Sequence, residues 1–486
     1  MSAPDRGGQQ REILLAYRHA DLTAEQLWTR YFALRGSHGL MAVEAYLDGV
    51  AELPRHQCDL LAQAVNERLD EISWTRRAPY SRTLRPSRPR DDSLAALVHL
   101  LEGTELAPPE RLAHLVEAAG RLIGVGFSAY LVDYAQQYLH PLSASGDPGP
   151  PMPIDSTLAG RAFRSLEVLP ADSAGSRCLW VPLVDGVERI GVLRADVADE
   201  DTLQDPGLRA QCRWTALLIG HLVVLMTQYG DGLDAVRRRR GRTVPGELIW
   251  SLLPPLTAGV DGFVVTGVLE PRHAVAGDAF DYSLSDTTAL LFIVDAVGHD
   301  LRSGHIAATA LATHRSARRA GYGLFEQARQ IDETIDAAFG NALFATAVFV
   351  EVDLATGRMR YINAGHPEPL LMRGGRVVKQ LTGGRRAALG LGSGELVVGE
   401  EQLQPDDWLV LYTDGITEAR NGEGEFFGEA RLADFLRREA SAGYPPPETV
   451  RRLIQAVLTH HDGSLQDDAT VLLARWTDPR DLIPKG

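Results

Sequence analysis

Between residues 262 and 476, strand-like apolar runs begin or stop at aspartate, and this pattern constrains the fold more than any bulk property of the chain. GFVVTGVLE (262–270), the segment after Asp278, ALLFIVD ending at Asp295, WLVLYTD ending at Asp414, and ATVLLARW after Asp467 and Asp468 all read as strands. If residues 279–284 and 288–295 pair antiparallel about Asp286, then Asp278 opens one strand where Asp295 closes its neighbour. The apolar run 408–412 reads as buried on both faces. Pairing it with ATVLLARW repeats the arrangement with Asp414 and the Asp467–Asp468 pair. Two sets of acids then converge, and clustered carboxylates raise one another's pKa unless cations neutralise them. Hard oxygen donors suit Mg2+ or Mn2+, and two such ions about 3.5–4 Å apart clamp a phosphoryl group and activate water. Gly277, Gly298 and Gly415 are expected to let the backbone approach these ions.

Helices are expected in the connections, at 303–320, 324–339, 429–439 and 448–461. In the last, Val450, Leu453, Ile454, Val457 and Leu458 form a stripe behind Pro447 that reads as core packing. Antiparallel strands with helical connections imply an α+β layered domain.

VAGDAFD, VDAVGHD, INAGHPEPLL, LYTDGITEARNGEGEFFG and DDAT, in this order over residues 245–476, resemble the SpoIIE-like branch of the PPM-type metal-dependent protein serine/threonine phosphatases. The resemblance implies an α/β sandwich of antiparallel sheets flanked by helices. It also implies a two-metal centre, with Mn2+ or Mg2+, that activates water for attack on phosphoserine or phosphothreonine. Carried over by position, Asp295 bridges both ions, Asp278 and the Ala296 carbonyl hold one, and Asp414 with Asp467 holds the other. Asp468 is a further candidate ligand. Bacterial members commonly dephosphorylate anti-anti-sigma proteins of the STAS type. Ala276, Val297 and Asp300 depart from the family pattern without removing a ligand, and Arg272 is a candidate for contacting phosphate. His299 and His366 sit in Gly-His turns and read as structural hydrogen-bonding groups. Asp286 and Asp353 read as turn residues, and Glu418 is open between a supporting role and an exposed loop carboxylate.

Upstream, a helical run from Ser93, the strand FSAYLVDYA, a "GRAF" helix within 154–170, a hairpin turning at 186–189 and a closing helix over 208–229 resemble a GAF domain over residues 93–230. That resemblance implies a sensor for a small molecule or a protein. Residues 1–85 read as a small helical region, residues 75–92 as an Arg/Pro/Ser-rich linker, residues 231–253 as a linker helix, and 254–478 as the phosphatase-like domain. The run of four arginines at 237–240 reads as a solvated linker. Leu217, Leu218, His221, Leu222 and Leu225 have the spacing of a helix seam in a homodimer, and burial against the sheet of the GAF-like domain explains the same stripe equally well.

A formal charge of −15 opposes binding to nucleic acid or anionic membrane. Cys58, Cys178 and Cys212 form no CxxC pair, and the first residues lack the apolar core of a signal peptide, so a reducing cytoplasm is expected. The rival readings are a hydrolase of another phosphoester and an inactive PPM-like module that only binds a phosphoprotein.

Overall fold

The structure, a computed structural model, describes residues 6–71, 92–144, 149–173, 176–238, 241, 243–271, 277–298, 300–340, 343–392, 396–461 and 465–476. The chain divides into two compact units, Met1–Arg90 and Asp91–Gly486. The expected linker at 75–92 falls almost wholly outside the described residues.

The described part of the first unit is helical: α1 (Arg6–His19), α2 (Ala24–Ala33), α3 (Leu40–Leu47) and α4 (Arg55–Glu71). Thr23 and Gln26 close a reciprocal cap at the start of α2. Ile13, Leu27, Tyr31, Leu61, Val65 and Leu69 form its core.

The second unit begins with α5 (Asp92–Thr104) and α6 (Leu112–Leu122). Then follow β1 (Gly126–Val132), β2 (Tyr138–Pro141), β3 (Met152–Pro153), α7 (Leu158–Ser165), β4 (Leu169–Ser173), β5 (Ser176–Asp185) and β6 (Glu188–Val197). The strands form an antiparallel sheet in the order β3-β2-β1-β6-β5-β4. Next come α8 (Glu200–Gln204), α9 (Pro206–Thr227), α10 (Gly232–Arg237) and α11 (Val244–Leu252). Helices α5, α6 and α9 bury Leu100, Val116, Cys212, Ile219 and Val223 against Leu179, Val181 and Leu193 of the sheet. Phe163 of α7 packs with Trp180 and Val192 in a separate cluster. By length and composition α9 is the one helix, among the described residues, that could cross a membrane. Here it packs along β5.

The arginine run departs from the solvated-linker expectation. Arg237 is buried, donates from Nε to the Val132 carbonyl at 3.0 Å, and covers the Tyr134 ring at 4.5 Å. Arg238 pairs with Asp234 and Glu247, each at 2.7 Å. A guanidinium can satisfy a carbonyl and cover an aromatic face at once, so this segment ties the middle of the chain to α11. Arg239 and Arg240 lie outside the described residues.

The rest of the unit holds two facing sheets. Its elements are β7 (Thr257–Val260), β8 (Phe263–Glu270), β9 (Asp278–Leu284), β10 (Thr288–Ala296), α12 (Leu301–Arg319), α13 (Leu324–Phe339), β11 (Ala345–Asp353), β12 (Arg358–Ala364), β13 (Leu370–Arg373), β14 (Arg376–Gln380), β15 (Arg385–Arg386), β16 (Gly399–Gln402), β17 (Trp408–Tyr412), α14 (Asp414–Thr417), α15 (Gly428–Ser441), α16 (Pro446–His460) and β18 (Ala469–Arg475). One sheet runs β15-β12-β11-β10-β9, with β16 beside β12; the other runs β14-β13-β17-β18-β8-β7. All five residues of β17 are buried, because Leu409 and Leu411 enter the core shared with Phe280, Phe292 and Phe349, while Trp408, Val410 and Tyr412 enter a second core beneath α15 and α16. The expected stripe on α16 packs as expected, with Val450, Leu453, Ile454 and Val457 buried. The architecture is α+β, antiparallel sheets flanked by helices.

Candidate active site

Two strand pairs bring the aspartates together. In the β9–β10 hairpin Asp278 stands directly opposite Asp295, and Thr346 of β11 faces Asp295 from the other side. In the second sheet β17 and β18 pair antiparallel through Tyr412 and Val471, so Asp414 leaves one strand beside the point where Asp467 and Asp468 enter the other. Two hydroxyls join the sheets here. Thr413 Oγ1 and Thr470 Oγ1 each donate to Asp278 Oδ2 at 2.7 Å. The Gly277 amide donates to Asp468 Oδ2, also at 2.7 Å.

The neighbouring acids Asp467 and Asp468 divide the work. Asp468 is buried and holds the loop in front of β9, whereas Asp467 is exposed and acts electrostatically on Asp295 and Asp414. Sequence reasoning missed Thr413 and Thr470, although both are threonines within two residues of a candidate ligand.

Burial, followed by the charges of Asp295 and Asp468, holds the Asp278 carboxyl well above the usual range. Burial, with Asp414 and Asp467 next, pushes Asp295 up to about 7. Asp414 is raised by burial, then by Asp467 and Glu418. The charges named on all three are carboxylates, with no lysine or arginine among them. An all-oxygen acidic cluster in which each carboxylate raises its neighbours fits divalent cations. Among the described residues no group of three acidic, imidazole or thiol side chains is gathered tightly enough to hold an ion alone.

Gly277 and Gly415 are required by close backbone packing, and Gly298 by its φ of 95°. A Cβ at Gly415 would lie 1.9 Å from the Asp468 carbonyl oxygen, and one at Gly277 would lie 2.9 Å from that of Ala296. Of the departures from the family pattern, Asp300 has a structural role. Asp300 caps α12, accepting from the amides of Arg302 at 2.9 Å and Ser303 at 3.3 Å. Val297 is exposed. His366 is buried, its Nδ1 is 2.8 Å from Thr346 Oγ1, and Asn363 bonds to both its amide and its carbonyl. Burial lowers its pKa to about 3, so it is a neutral structural group behind Asp295. Glu418 is exposed. Arg272, Ala276 and His299 lie outside the described residues.

A second network escaped the sequence. Asp281 of β9 is buried, accepts from Arg315 at 2.8 and 3.1 Å, and lies 3.4 Å from His314 and 3.5 Å from Arg318. Burial alone would raise its pKa, but these partners outweigh it and hold the carboxyl below the usual range. Arg315 Nη2 also donates to the Leu252 carbonyl at 2.6 Å, so one side chain joins the end of α11, α12 and the strand that Asp278 opens.

Residues 285–477 match the family model described as Stage II sporulation protein E (SpoIIE). Those residues carry a SpoIIE-type PPM phosphatase domain. The SpoIIE match includes Asp295, Asp414, Asp467 and Asp468, and the β9–β10 pairing adds Asp278 from just upstream. Protein IcfG of Synechocystis is 26% identical over 276 residues, 50% of this chain and 42% of that protein. Phosphoserine phosphatase RsbP of Bacillus subtilis is 25% identical over 150 residues, 30% of this chain and 37% of RsbP. The match thus spans about two fifths of each curated relative. The crystal structure of the RsbU and RsbW domains of Rv1364c from Mycobacterium tuberculosis aligns at 27% identity and TM-score 0.39, covering 47% of this chain and 63% of that one.

Proposed function

We propose that the chain is a Mn2+- or Mg2+-dependent protein serine/threonine phosphatase whose activity is set by the domain formed by residues 93–230. The observation that supports this best is the meeting of strand-end aspartates from two sheets, where burial and neighbouring carboxylates raise Asp278, Asp295 and Asp414 together. In this reading Asp278, Asp295, the Ala296 carbonyl, Asp414 and Asp467 would hold the ions, with Asp295 placed between the two sets. Bound there, the ions supply a water acidic enough to attack phosphorus and positive charge to receive the phosphoryl oxygens. Thr413 and Thr470 keep one oxygen of Asp278 turned inward, leaving the other for coordination. Asp468, proposed from the sequence as a ligand, serves better as the anchor of the Gly277 loop.

The substrate class proposed is a phosphorylated STAS-type anti-anti-sigma protein. The residue 93–230 domain is read as a GAF-like sensor for a small molecule or a protein, and the chain as a cytoplasmic homodimer with no nucleic-acid or membrane partner. Purified protein incubated with Mn2+ and a panel of phosphoserine-bearing STAS proteins is expected to release phosphate, and excess chelator to stop it. Asp295→Asn and Asp414→Asn are each expected to lower the rate at least about a hundredfold. Their metal-free melting temperatures should be equal to or above that of the parent, because a repelling charge is gone. Undiminished turnover in chelator would overturn the metal reading. Phosphate release from small phosphoesters alone would redirect the substrate class.

A further inference from the structure

The sensor-like domain grips the C-terminal domain at a place remote from the linker. Arg189 of β6 is buried, with Nη1 3.0 Å from Glu448 Oε2 and Nη2 3.0 Å from the Pro447 carbonyl and 2.9 Å from Gln136 Oε1. Glu448 is held a second time by Arg451, which donates to it at 2.8 and 2.9 Å. Arg451 in turn reaches back to Asp155 at 2.6 Å and to the Gln136 carbonyl at 3.3 Å. Gln137 Nε2 meets Gln455 Oε1 at 3.3 Å one turn further along α16. Gln136 and Gln137 belong to the β1–β2 turn, where Gln136 takes a left-handed φ of 50°.

These contacts run along α16 from Pro447 to Gln455. We infer that Arg189, Glu448 and Arg451 are positioning residues for the active site, setting Asp467 through α16 by a route separate from α11. The inference rests on the metal-centre reading above. The helix is a 15-residue rod about 22 Å long, buried along β8 and β18 by Val450, Leu453, Ile454 and Val457. Strand β18, on which it packs, begins at Ala469 directly after Asp467 and Asp468. Buried charges tolerate one arrangement, in which every member is paired, so a change in the β1–β2 turn is passed to the helix as a shift instead of being absorbed locally. The linker route enters elsewhere, through Leu252, Arg315 and Asp281 at β9.

The test is Mn2+ binding to the full chain without substrate, read from loss of the free-ion signal in electron paramagnetic resonance. Arg189→Met leaves Glu448 still paired with Arg451. It is expected to weaken Mn2+ binding about five- to tenfold, the low end of ordinary intersite coupling. Arg189→Lys, which keeps the charge on Glu448, should recover most of that loss. Arg373→Met, which breaks the 2.7 Å pair with Asp407 at the opposite end of β17, is the control and should bind Mn2+ as the parent does. If Arg189→Met does not fold, Gln137→Ala removes only the rim contact to Gln455 and should still weaken binding about twofold. Parent-like Mn2+ affinity in the folded Arg189→Met chain, or an equal loss in the Arg373→Met control, overturns the inference. Absence of Mn2+ binding by the parent chain would sink the metal centre and this route together.

Discussion

Gly415 shows how little room the active site leaves for variation at single residues. With a Cβ placed 1.9 Å from a backbone carbonyl, Gly415→Ala must push the end of β17 away from Asp468. Backbone cannot rotate aside as a flexible side chain would, so the expected result is at least a tenfold loss of turnover, measured at saturating Mn2+, with a lowered melting temperature. Glu188 carries a different prediction. It is buried against Thr257, whose amide it accepts, with the charges of Arg237 and Arg189 nearby and Tyr282 also within electrostatic reach. Burial pushes its carboxyl up to about 7 despite those partners. The folded state therefore holds this proton more tightly than the unfolded chain, and stability falls as pH rises through the window from 4.5 to about 7. Glu188→Gln should flatten that slope and leave the variant more stable at pH 8 by up to about 3 kcal/mol, seen in urea midpoints. The parent's pH slope persisting in Glu188→Gln would refute it. At this scale the four strand-end aspartates were legible because strand period and turn residues fix where a strand stops. Thr413 and Thr470 were not, since their bonds to Asp278 span 135 and 192 residues. Sequence ranked Asp467 ahead of Asp468 as a ligand but did not show that Asp468 is buried against the Gly277 amide, because that contact spans 191 residues.

Among elements, those long enough to repeat their hydrophobic period were readable, and α12, α13, α15 and α16 lie within a few residues of expectation. The short strands β2, β3, β4 and β7 carry too few residues for alternation to register and are held by their neighbours in the sheet. The arginine run misled for a related reason. Charge normally marks a solvated face, and only the position of Tyr134 and the Val132 carbonyl made burial of Arg237 favourable. Helix α11 is clasped from two directions, by Tyr134 packing edge-on against Trp250 at 5.0 Å and by Arg315 at its last carbonyl. Removing the second clasp should loosen α11 while Asp281 keeps His314 and Arg318 nearby. Arg315→Met is therefore expected to destabilise the chain by about 2 kcal/mol, somewhat less than leaving a buried charge wholly bare. It should also lower turnover more than substrate affinity, since β9 carries Asp278 and no substrate contact is invoked there. A rise in KM alone, with kcat preserved, would contradict this link between linker helix and metal end.

Across the whole molecule, α9 presents a problem that one chain does not solve. Its inner face is accounted for: Ile219, Leu222, Val223 and Met226 are buried in the core beneath the sheet, and Leu217 packs with Val184 and Val264. The expected seam therefore splits, because Leu217 and Leu222 point inward. Trp214, Leu218, His221 and Leu225 follow at spacings of four, three and four residues; Leu218 is half-buried against that core, while Trp214 and Leu225 are 50% and 55% exposed. A helix apolar on both faces is ordinarily covered on both. The 4-3-4 spacing is that of a two-helix seam, for which the same helix of a second copy is the self-complementary partner. His221 sits in that line and pairs with Asp185, giving the seam a polar position able to fix its register. The full chain should then scatter light with twice the 53.0 kDa of one copy. The double variant Trp214→Glu, Leu225→Glu should scatter as a single copy with an unchanged circular dichroism spectrum, since both side chains lie outside the core. A single-copy mass for the parent chain at tens of micromolar, or a double variant that still pairs, would remove α9 as the interface.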